Sequence, residues 1–239
     1  MDAQEEVEAL RRALSDKDAE MERLLYRVSH DLQEPLRKIS AFSQLLRRDL
    51  GDDLPARAAE DLSYVLDASS RMQAMLEGLL VLSRVGRREL VMASLQTRAC
   101  AEQALLSAGV GEIATRWEAL PALRMDRDLL IDCYRRGLEN ALRYADPNEA
   151  LRLTFTAEER GDAWVLGVSD NGRGVPDADA ERIFEPFVRL HPRAVPGAGM
   201  GLAIVARRVE QIGGRAWVEP SEGGGAHLRF TMPKAGGPR

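Results

Sequence analysis

The sequence predicts an α+β protein: an N-terminal helical hairpin that forms a dimeric four-helix bundle, followed by a two-layer α/β sandwich. Three observations carry that reading. Apolar residues recur at spacings of three and four from residue 4 to about residue 84, interrupted only at Gly51-Asp52-Asp53-Leu54-Pro55. From Glu89 onward, short alternating runs that read as strands mix with helical periods. Two adjacent hairpins among those strands favour a two-layer sandwich over a doubly wound parallel sheet.

The first helix opens with Val7, Leu10, Leu14, Met21, Leu24 and Val28 on heptad a and d positions. Lys17 is the one polar d residue, and residues 1–28 are assigned to a coiled-coil signalling helix. Further on, Val28, Leu32, Leu36 and Ile39 fall within about 80° of one another, and His30 lies opposite them, facing water. Pro35 has no N–H and clashes with the carbonyl of Asp31, so a bend is expected there. The second helix repeats Leu62, Val65, Leu66, Ser69, Met72, Leu76, Leu79 and Leu80. One hairpin cannot bury apolar faces on both helices, whereas two hairpins can. This predicts a homodimer and assigns residues 24–86 to the dimerisation unit. Val85-Gly86-Arg87-Arg88 reads as the hinge leaving it.

Residues 89–236 form the second domain. Leu90-Val91-Met92 is a short extended run, residues 95–107 read as a helix, and residues 114–120 read as a strand around Trp117. Asp126 and Asp128 are candidate N-caps for a helix running to Arg143. Residues 151–157 and 163–169 alternate as paired strands, with residues 158–162 as their turn. Residues 200–212 read as a helix ended by Gly213-Gly214, and residues 215–219 and 226–232 as a closing hairpin.

Composition narrows the function. The net charge of −5 gives no reason to expect a nucleic-acid partner. Aromatic residues make up 5% of the chain, which suits helices packed by Leu, Val, Ile and Ala better than an all-β sandwich. Cys100 and Cys133 show neither a CxxC nor a zinc-type spacing, so they read as reduced thiols of a cytoplasmic protein. No apolar run approaches the roughly 18–20 residues needed for membrane insertion. The acidic start, Met1-Asp2-Ala3-Gln4-Glu5-Glu6, excludes a secretory signal peptide. Any sensing across a membrane is therefore expected from an upstream sensor domain.

The chemistry starts with Ser29-His30-Asp31-Leu32-Gln33-Glu34-Pro35-Leu36. An exposed imidazole whose neighbouring carboxylate holds one ring nitrogen presents the other as a nucleophile. In the second domain, Asp170-Asn171-Gly172-Arg173-Gly174-Val175-Pro176 ends a strand with an acid and a loop containing two glycines. Gly197-Ala198-Gly199-Met200-Gly201-Leu202 runs straight into a helix. Glu139-Asn140-Ala141-Leu142-Arg143-Tyr144 shares one helix, and Ile183-Phe184-Glu185-Pro186-Phe187 lies between the glycine segments. Glycines let backbone approach phosphate oxygens, and the open N–H groups of a helix N-terminus attract anions. A strand-end aspartate can accept from an adenine amino group, and a helical asparagine can offer a neutral oxygen to Mg²⁺. Neither a Walker P-loop nor a GxGxxG after a first strand is present.

In order and spacing these segments resemble the H, N, G1, F and G2 boxes of sensor histidine kinases, from about Leu24 to Pro233. The HDLQEPL wording and Arg189-Leu190-His191 look most like the transmitter modules of bacteriophytochromes. The resemblance implies a GHKL, Bergerat-type ATPase fold for residues 89–236, with ATP as phosphoryl donor and Mg²⁺ as cofactor. It makes His30 the phosphoacceptor and Asp31 its general base. Asn140 would coordinate Mg²⁺, with Arg143 and Tyr144 near the phosphates and the base. Asp170 would read adenine, with Gly172 and Gly174 shaping that wall. Gly197, Gly199 and Gly201, leading into Leu202, would hinge the ATP lid and offer N–H groups to phosphate, and Phe184 and Phe187 would anchor its far end. The implied activity is autophosphorylation followed by transfer to an aspartate on a response-regulator receiver.

Three residues depart from the pattern. Arg136 stands where many relatives carry a second asparagine, so metal coordination leans on Asn140 alone, or on Glu139 if it turns inward. Arg143 replaces the usual lysine, keeping charge but changing geometry. Glu34 occupies the place where relatives with strong phosphatase activity carry Thr or Asn, although a carboxylate there can still orient water. The rival readings are a net phosphatase of the phosphorylated regulator and a non-catalytic dimeric scaffold.

Overall fold

Two long amphipathic stretches and one glycine-marked break set the first part of the fold. The computed structural model describes residues 3–85, 88–111, 113–190 and 197–234. They divide into two units, one ending at Arg84 and the other beginning at Val85.

In the first unit, α1 spans Ala3–Leu50 and continues through Pro35 as one helix. A 3₁₀ turn, Gly51–Asp53, follows, with Gly51 at φ 45°, and α2 spans Ala56–Arg84. On α1, Ser29 and Leu36 are buried and Leu25, Gln33, Ser40 and Ser43 are half-buried. Against them the buried Ser69 of α2 donates Oγ to the Leu36 carbonyl at 3.0 Å and accepts from Ser40 Oγ at 2.8 Å. Val28, Leu32, Ile39, Phe42 and Leu46 stay exposed. The expected single stripe is therefore split. Leu36 faces α2, while Val28, Leu32 and Ile39 sit on an adjacent arc that the hairpin leaves uncovered. At the coiled-coil end Met21 and Leu24 are exposed and Lys17 pairs with Glu20 at 3.3 Å. The side chains of Val7, Leu10 and Leu14 lie outside the description.

The second unit holds a five-stranded sheet in the order β2-β4-β5-β7-β6 and a separate pair, β1 with β3. The strands are β1 Met92–Gln96, β2 Ala114–Trp117, β3 Ala122–Asp126, β4 Arg152–Arg160, β5 Ala163–Asp170, β6 Ala216–Pro220 and β7 Ala226–Pro233. β2 pairs parallel to β4, and the remaining pairs are antiparallel. Helices α3 Thr97–Ser107, α4 Arg127–Arg143 and α5 Gly201–Gln211 form the other layer. The core lies between the layers: Tyr134 of α4 meets Phe155 of β4 and Phe230 of β7 edge-on, both at 5.4 Å. Leu129, Leu138, Leu166 and Val205 complete it without exposure. Among the described residues no helix is long and apolar enough to cross a membrane.

Several sequence expectations move. The first strand runs over Met92–Gln96 rather than residues 90–92, and α3 starts at Thr97 rather than Leu95. β3 has no counterpart among the expected elements; it forms because Leu95 of β1 lies opposite Leu123, and Leu123 and Met125 turn into the core. The β4–β5 turn is Gly161-Asp162 alone, since the ladder continues to Arg160 opposite Ala163. Asp126 does cap α4, accepting from Leu129 N–H at 2.9 Å. The same buried carboxylate accepts from Val91 N–H at 2.9 Å and from Arg88 Nη2 at 2.6 Å. Arg88 also pairs with Asp128, and its carbonyl accepts from Gln211. Arg88 is thus pinned rather than part of a free hinge; Gly86 and Arg87 lie outside the described residues.

Candidate active site

His30 lies on the solvent side of α1, with 60% of its side chain exposed. Its Nδ1 is 3.3 Å from Asp31 Oδ1. In the tautomer protonated at Nδ1 the ring donates to Asp31, leaving the Nε2 lone pair free in solvent. Glu34, one turn on, is engaged elsewhere: its Oε1 takes Lys38 Nζ at 2.6 Å. The hydrogen bond and charge of Lys38 hold the Glu34 carboxyl below its usual range.

A cavity in the second unit is lined by Asn140, Arg143, Tyr144, Asp170, Gly174, Val175, Ile183, Val188, Arg189, Leu190, Gly197, Gly199, Gly201, Leu202 and Ala226. One end suits a planar, amino-bearing base. Asp170, at the end of β5, fixes Oδ1 with the N–H groups of Gly172 at 2.8 Å and Ala226 at 3.2 Å. Oδ2 takes no hydrogen bond among the described residues, so one carboxylate oxygen remains to accept from a ligand. Burial pushes this carboxyl up, opposed by the two backbone donors. Val175, Ile183, Val188 and Leu202 supply apolar walls. A Cβ on Gly225 would stand 2.3 Å from the Asp170 carbonyl oxygen and 2.5 Å from Gly172 N, so only glycine lets β7 start against this loop.

The other end suits anions. α5 begins at Gly201 with no side-chain cap, and the Ile204 N–H closes its first turn onto the Met200 carbonyl, so the N–H groups of Gly201 and Leu202 lie ahead of the helical ladder at the cavity wall. Arg143 and Arg189 add positive charge there. Gly199, at φ 70°, is fixed by close approach: a Cβ would meet the Val188 carbonyl oxygen at 2.6 Å. Its own carbonyl accepts from Phe187 N–H at 2.9 Å.

Nine of the sequence-selected nucleotide residues come together here: Asn140, Arg143, Tyr144, Asp170, Gly174, Gly197, Gly199, Gly201 and Leu202. Gly172, Phe184 and Phe187 do not line the cavity. Gly172 packs beneath it, where a Cβ would come within 2.6 Å of the Tyr144 carbonyl oxygen. Phe184 packs against the core, and Phe187 contributes backbone while its ring is exposed. Ile183 is the side chain of that segment that reaches the cavity. Glu139 is bound to Arg135 and stands outside the lining. Sequence reasoning missed Ile183, Val188, Ala226 and Gly225; the Gly223-Gly224-Gly225 run before β7 was the available signal for the last. It also missed Asn171, which is buried and holds the loop by accepting from Arg152 N–H at 2.6 Å and donating to the Ala150 carbonyl at 3.1 Å. His191 lies outside the described residues.

Among the described residues no group of three or more His, Cys, Asp or Glu side chains converges. The cavity offers one neutral amide oxygen, from Asn140. That suits a hard cation that keeps waters and phosphate oxygens for its other ligands, and it does not suit an all-protein cage.

Two family models match the chain. Residues 20–88, which include His30, match the His Kinase A (phospho-acceptor) domain. Residues 125–236, which include every cavity residue, match the histidine kinase-, DNA gyrase B-, and HSP90-like ATPase family. Cyanobacterial phytochrome A of Nostoc sp. is 32% identical over 237 residues, covering 97% of this chain and 31% of the relative. The methanogenesis regulatory histidine kinase FilI of Methanothrix harundinacea is 35% identical over 225 residues, covering 91% and 25%. The chain thus spans less than a third of either curated relative. Full-length ShkA, solved in complex with AMPPNP, superposes with a TM-score of 0.60 at 26% identity, covering 91% of this chain and 46% of that one. The Acinetobacter baumannii histidine kinase AdeS shares the fold, with a TM-score of 0.58 at 20% identity over 84% of this chain and 97% of that one. With a His Kinase A (phospho-acceptor) domain around His30 and a histidine kinase-, DNA gyrase B-, and HSP90-like ATPase domain around the Asp170 cavity, the chain carries the two domains of a histidine kinase.

Proposed function

We propose that this chain is the transmitter of a two-component sensor histidine kinase that phosphorylates His30 with ATP and passes the phosphoryl group to an aspartate of a response-regulator receiver. The observation that carries the reading is the pairing, in one chain, of an Asp31-oriented, solvent-facing imidazole with a cavity that joins a carboxylate acceptor to an uncapped helix N-terminus. Asp170 Oδ2 takes the adenine amino group, and the Gly201 and Leu202 N–H groups with Arg143 hold phosphate oxygens. Asn140 would hold Mg²⁺ through its amide oxygen, and the ion would supply further neutralisation of the triphosphate. The His30 Nε2 lone pair forms the bond to the γ-phosphorus as the bond from that phosphorus to the β–γ bridging oxygen breaks. ADP leaves with that electron pair, and the Nδ1 proton passes to Asp31. Positioning and charge neutralisation provide most of the acceleration in such transfers.

The uncovered arc Val28, Leu32, Ile39, Phe42 and Leu46 supports a homodimer joined through α1. An upstream sensor acting through the N-terminal part of α1 completes the reading, and a cytoplasmic location follows from its need for ATP. The Lys38 pairing of Glu34 favours kinase over phosphatase output, because the carboxylate best placed to orient water is already engaged. Incubation with γ-labelled ATP tests the proposal. An acid-labile, base-stable label lost in His30→Gln is expected, and a label that persists in that variant refutes it.

A further inference from the structure

Asp132 of α4 and Arg208 of α5 lie outside the cavity and take no part in the transfer described above. Arg208 donates Nε–H to the Asp132 carboxylate at 3.4 Å, and the two side chains are only 19% and 14% exposed. Arg135 and Arg136 bind the same carboxylate from within α4, so among the described residues the Arg208 contact is the one ion pair that joins α4 to α5. Burial pushes the Asp132 carboxyl up, but Arg136 and Arg135 together outweigh it and keep the group below its ordinary value, hence ionised at neutral pH. The place of the pair matters more than its strength. From Asp132, α4 runs about 12 Å to Asn140 on the cavity wall, and from Arg208, α5 runs back about 10 Å to Gly201 on the same wall. The helices are therefore antiparallel struts, tied by charge at one end and flanking the anion-binding end of the cavity at the other. Leu138 and Ala141 of α4 and Val205 of α5 share the apolar core, which resists separation of the helices but has no preferred direction. The charged tie fixes where α5 stands along α4.

We propose that Asp132 and Arg208 are a positioning pair for phosphate binding, setting α5 along α4 so that the Gly201 and Leu202 N–H groups converge with the Arg143 guanidinium on the same phosphate oxygens. The inference rests on reading the cavity as an ATP site. Neither residue touches the nucleotide. N–H···O bonds hold only within a few tenths of an ångström of about 2.9 Å, so a slide of about 1 Å between the struts takes the N–H groups out of register with Arg143. The base end rests on Asp170 of β5 and the start of β7, and is not carried by this tie.

Titration of the full chain with a fluorescent ATP analogue, with ATP and adenosine as competitors, tests this. Arg208→Met is expected to weaken ATP about three- to tenfold and adenosine by less than about twofold. Arg208→Lys, which keeps the charge and a donor for Asp132, is expected to return ATP to within about twofold of the unmodified chain. Asp132→Asn separates positioning from simple charge. Losing the tie weakens ATP about as much as R208M does, whereas removing one negative charge would by itself tighten a polyanion. Asp132→Asn also carries the test if R208M does not fold. Equal losses of ATP and adenosine in R208M, unchanged ATP affinity there, no recovery in R208K, or ATP bound as tightly or more tightly by D132N would each overturn the proposal. Failure of the unmodified chain to bind any nucleotide would instead overturn the ATP-site reading, and the proposal with it.

Discussion

Replacing Tyr134 with phenylalanine is expected to stabilise the second unit. Tyr134 is fully buried, its ring stacks edge-on against Phe155 and Phe230, and its hydroxyl has no hydrogen-bond partner among the described residues. Burial also pushes the phenol far above its ordinary titration range, as a group without a polar partner requires. An unsatisfied buried hydroxyl costs about 1–3 kcal/mol. Phenylalanine removes that cost and keeps both ring contacts, and the oxygen-sized void it leaves returns less than about 1 kcal/mol. The net gain is about 1 kcal/mol, or roughly 2–4 °C in Tm for a unit of this size. Trp117, Trp164 and Trp217 all lie in the second unit, so tryptophan fluorescence during urea unfolding reports on it alone. A loss of about 0.5 kcal/mol or more in Tyr134→Phe would refute the reasoning, because it would mean that the hydroxyl is satisfied.

Asp170 must be ionised to accept from a base, and burial raises its pKa, so nucleotide affinity should begin to fall on acidification above the ordinary carboxylate value of about 3.9. Binding measured between about pH 4 and pH 8 checks this, and Asp170→Asn should bind weakly with no such slope. Gly225→Ala puts a Cβ into backbone at 2.3 Å, whereas Gly224 has open space around it. The first substitution should cost about 1–3 kcal/mol and most nucleotide binding, read by thermal shift with and without ATP. Ile39→Asp with Phe42→Asp should turn a dimer into monomers by light scattering while leaving nucleotide affinity intact, since both side chains are exposed on the first unit; a dimer that persists rules out the α1 arc as its seam.

The periodicity of α1 identified an apolar helix, but it could not divide neighbouring arcs between an intrachain and an outward face. Leu36 and Val28 differ in burial because Ser69 of α2 draws the Leu36–Ser40 edge inward, a pairing that depends on residues more than thirty positions apart. β3 was missed for a similar reason: its partner is β1, and neither strand of that two-stranded pair carries enough alternation alone. Local chemistry was more legible. Asp126 as a cap, Gly213 as a helix stop and the Asp170 loop all follow from residue types acting over a few positions. Cavity-lining residues were legible where the backbone itself demands an unusual residue. They were misplaced where side-chain direction decides, as for Phe184 against Ile183 and for Glu139, which Arg135 claims.

The Asp126 carboxylate has a mechanical consequence. It ties Arg88 and the Val91 N–H to the first turn of α4, and Gln211 fastens the Arg88 carbonyl as well. α4 has 17 residues, which makes it a stiff rod about 25 Å long with Asn140 and Arg143 at its far end. A pull or twist on the polypeptide at Arg88 is therefore not lost in slack backbone but loads the root of the rod whose tip borders the Asp170 cavity.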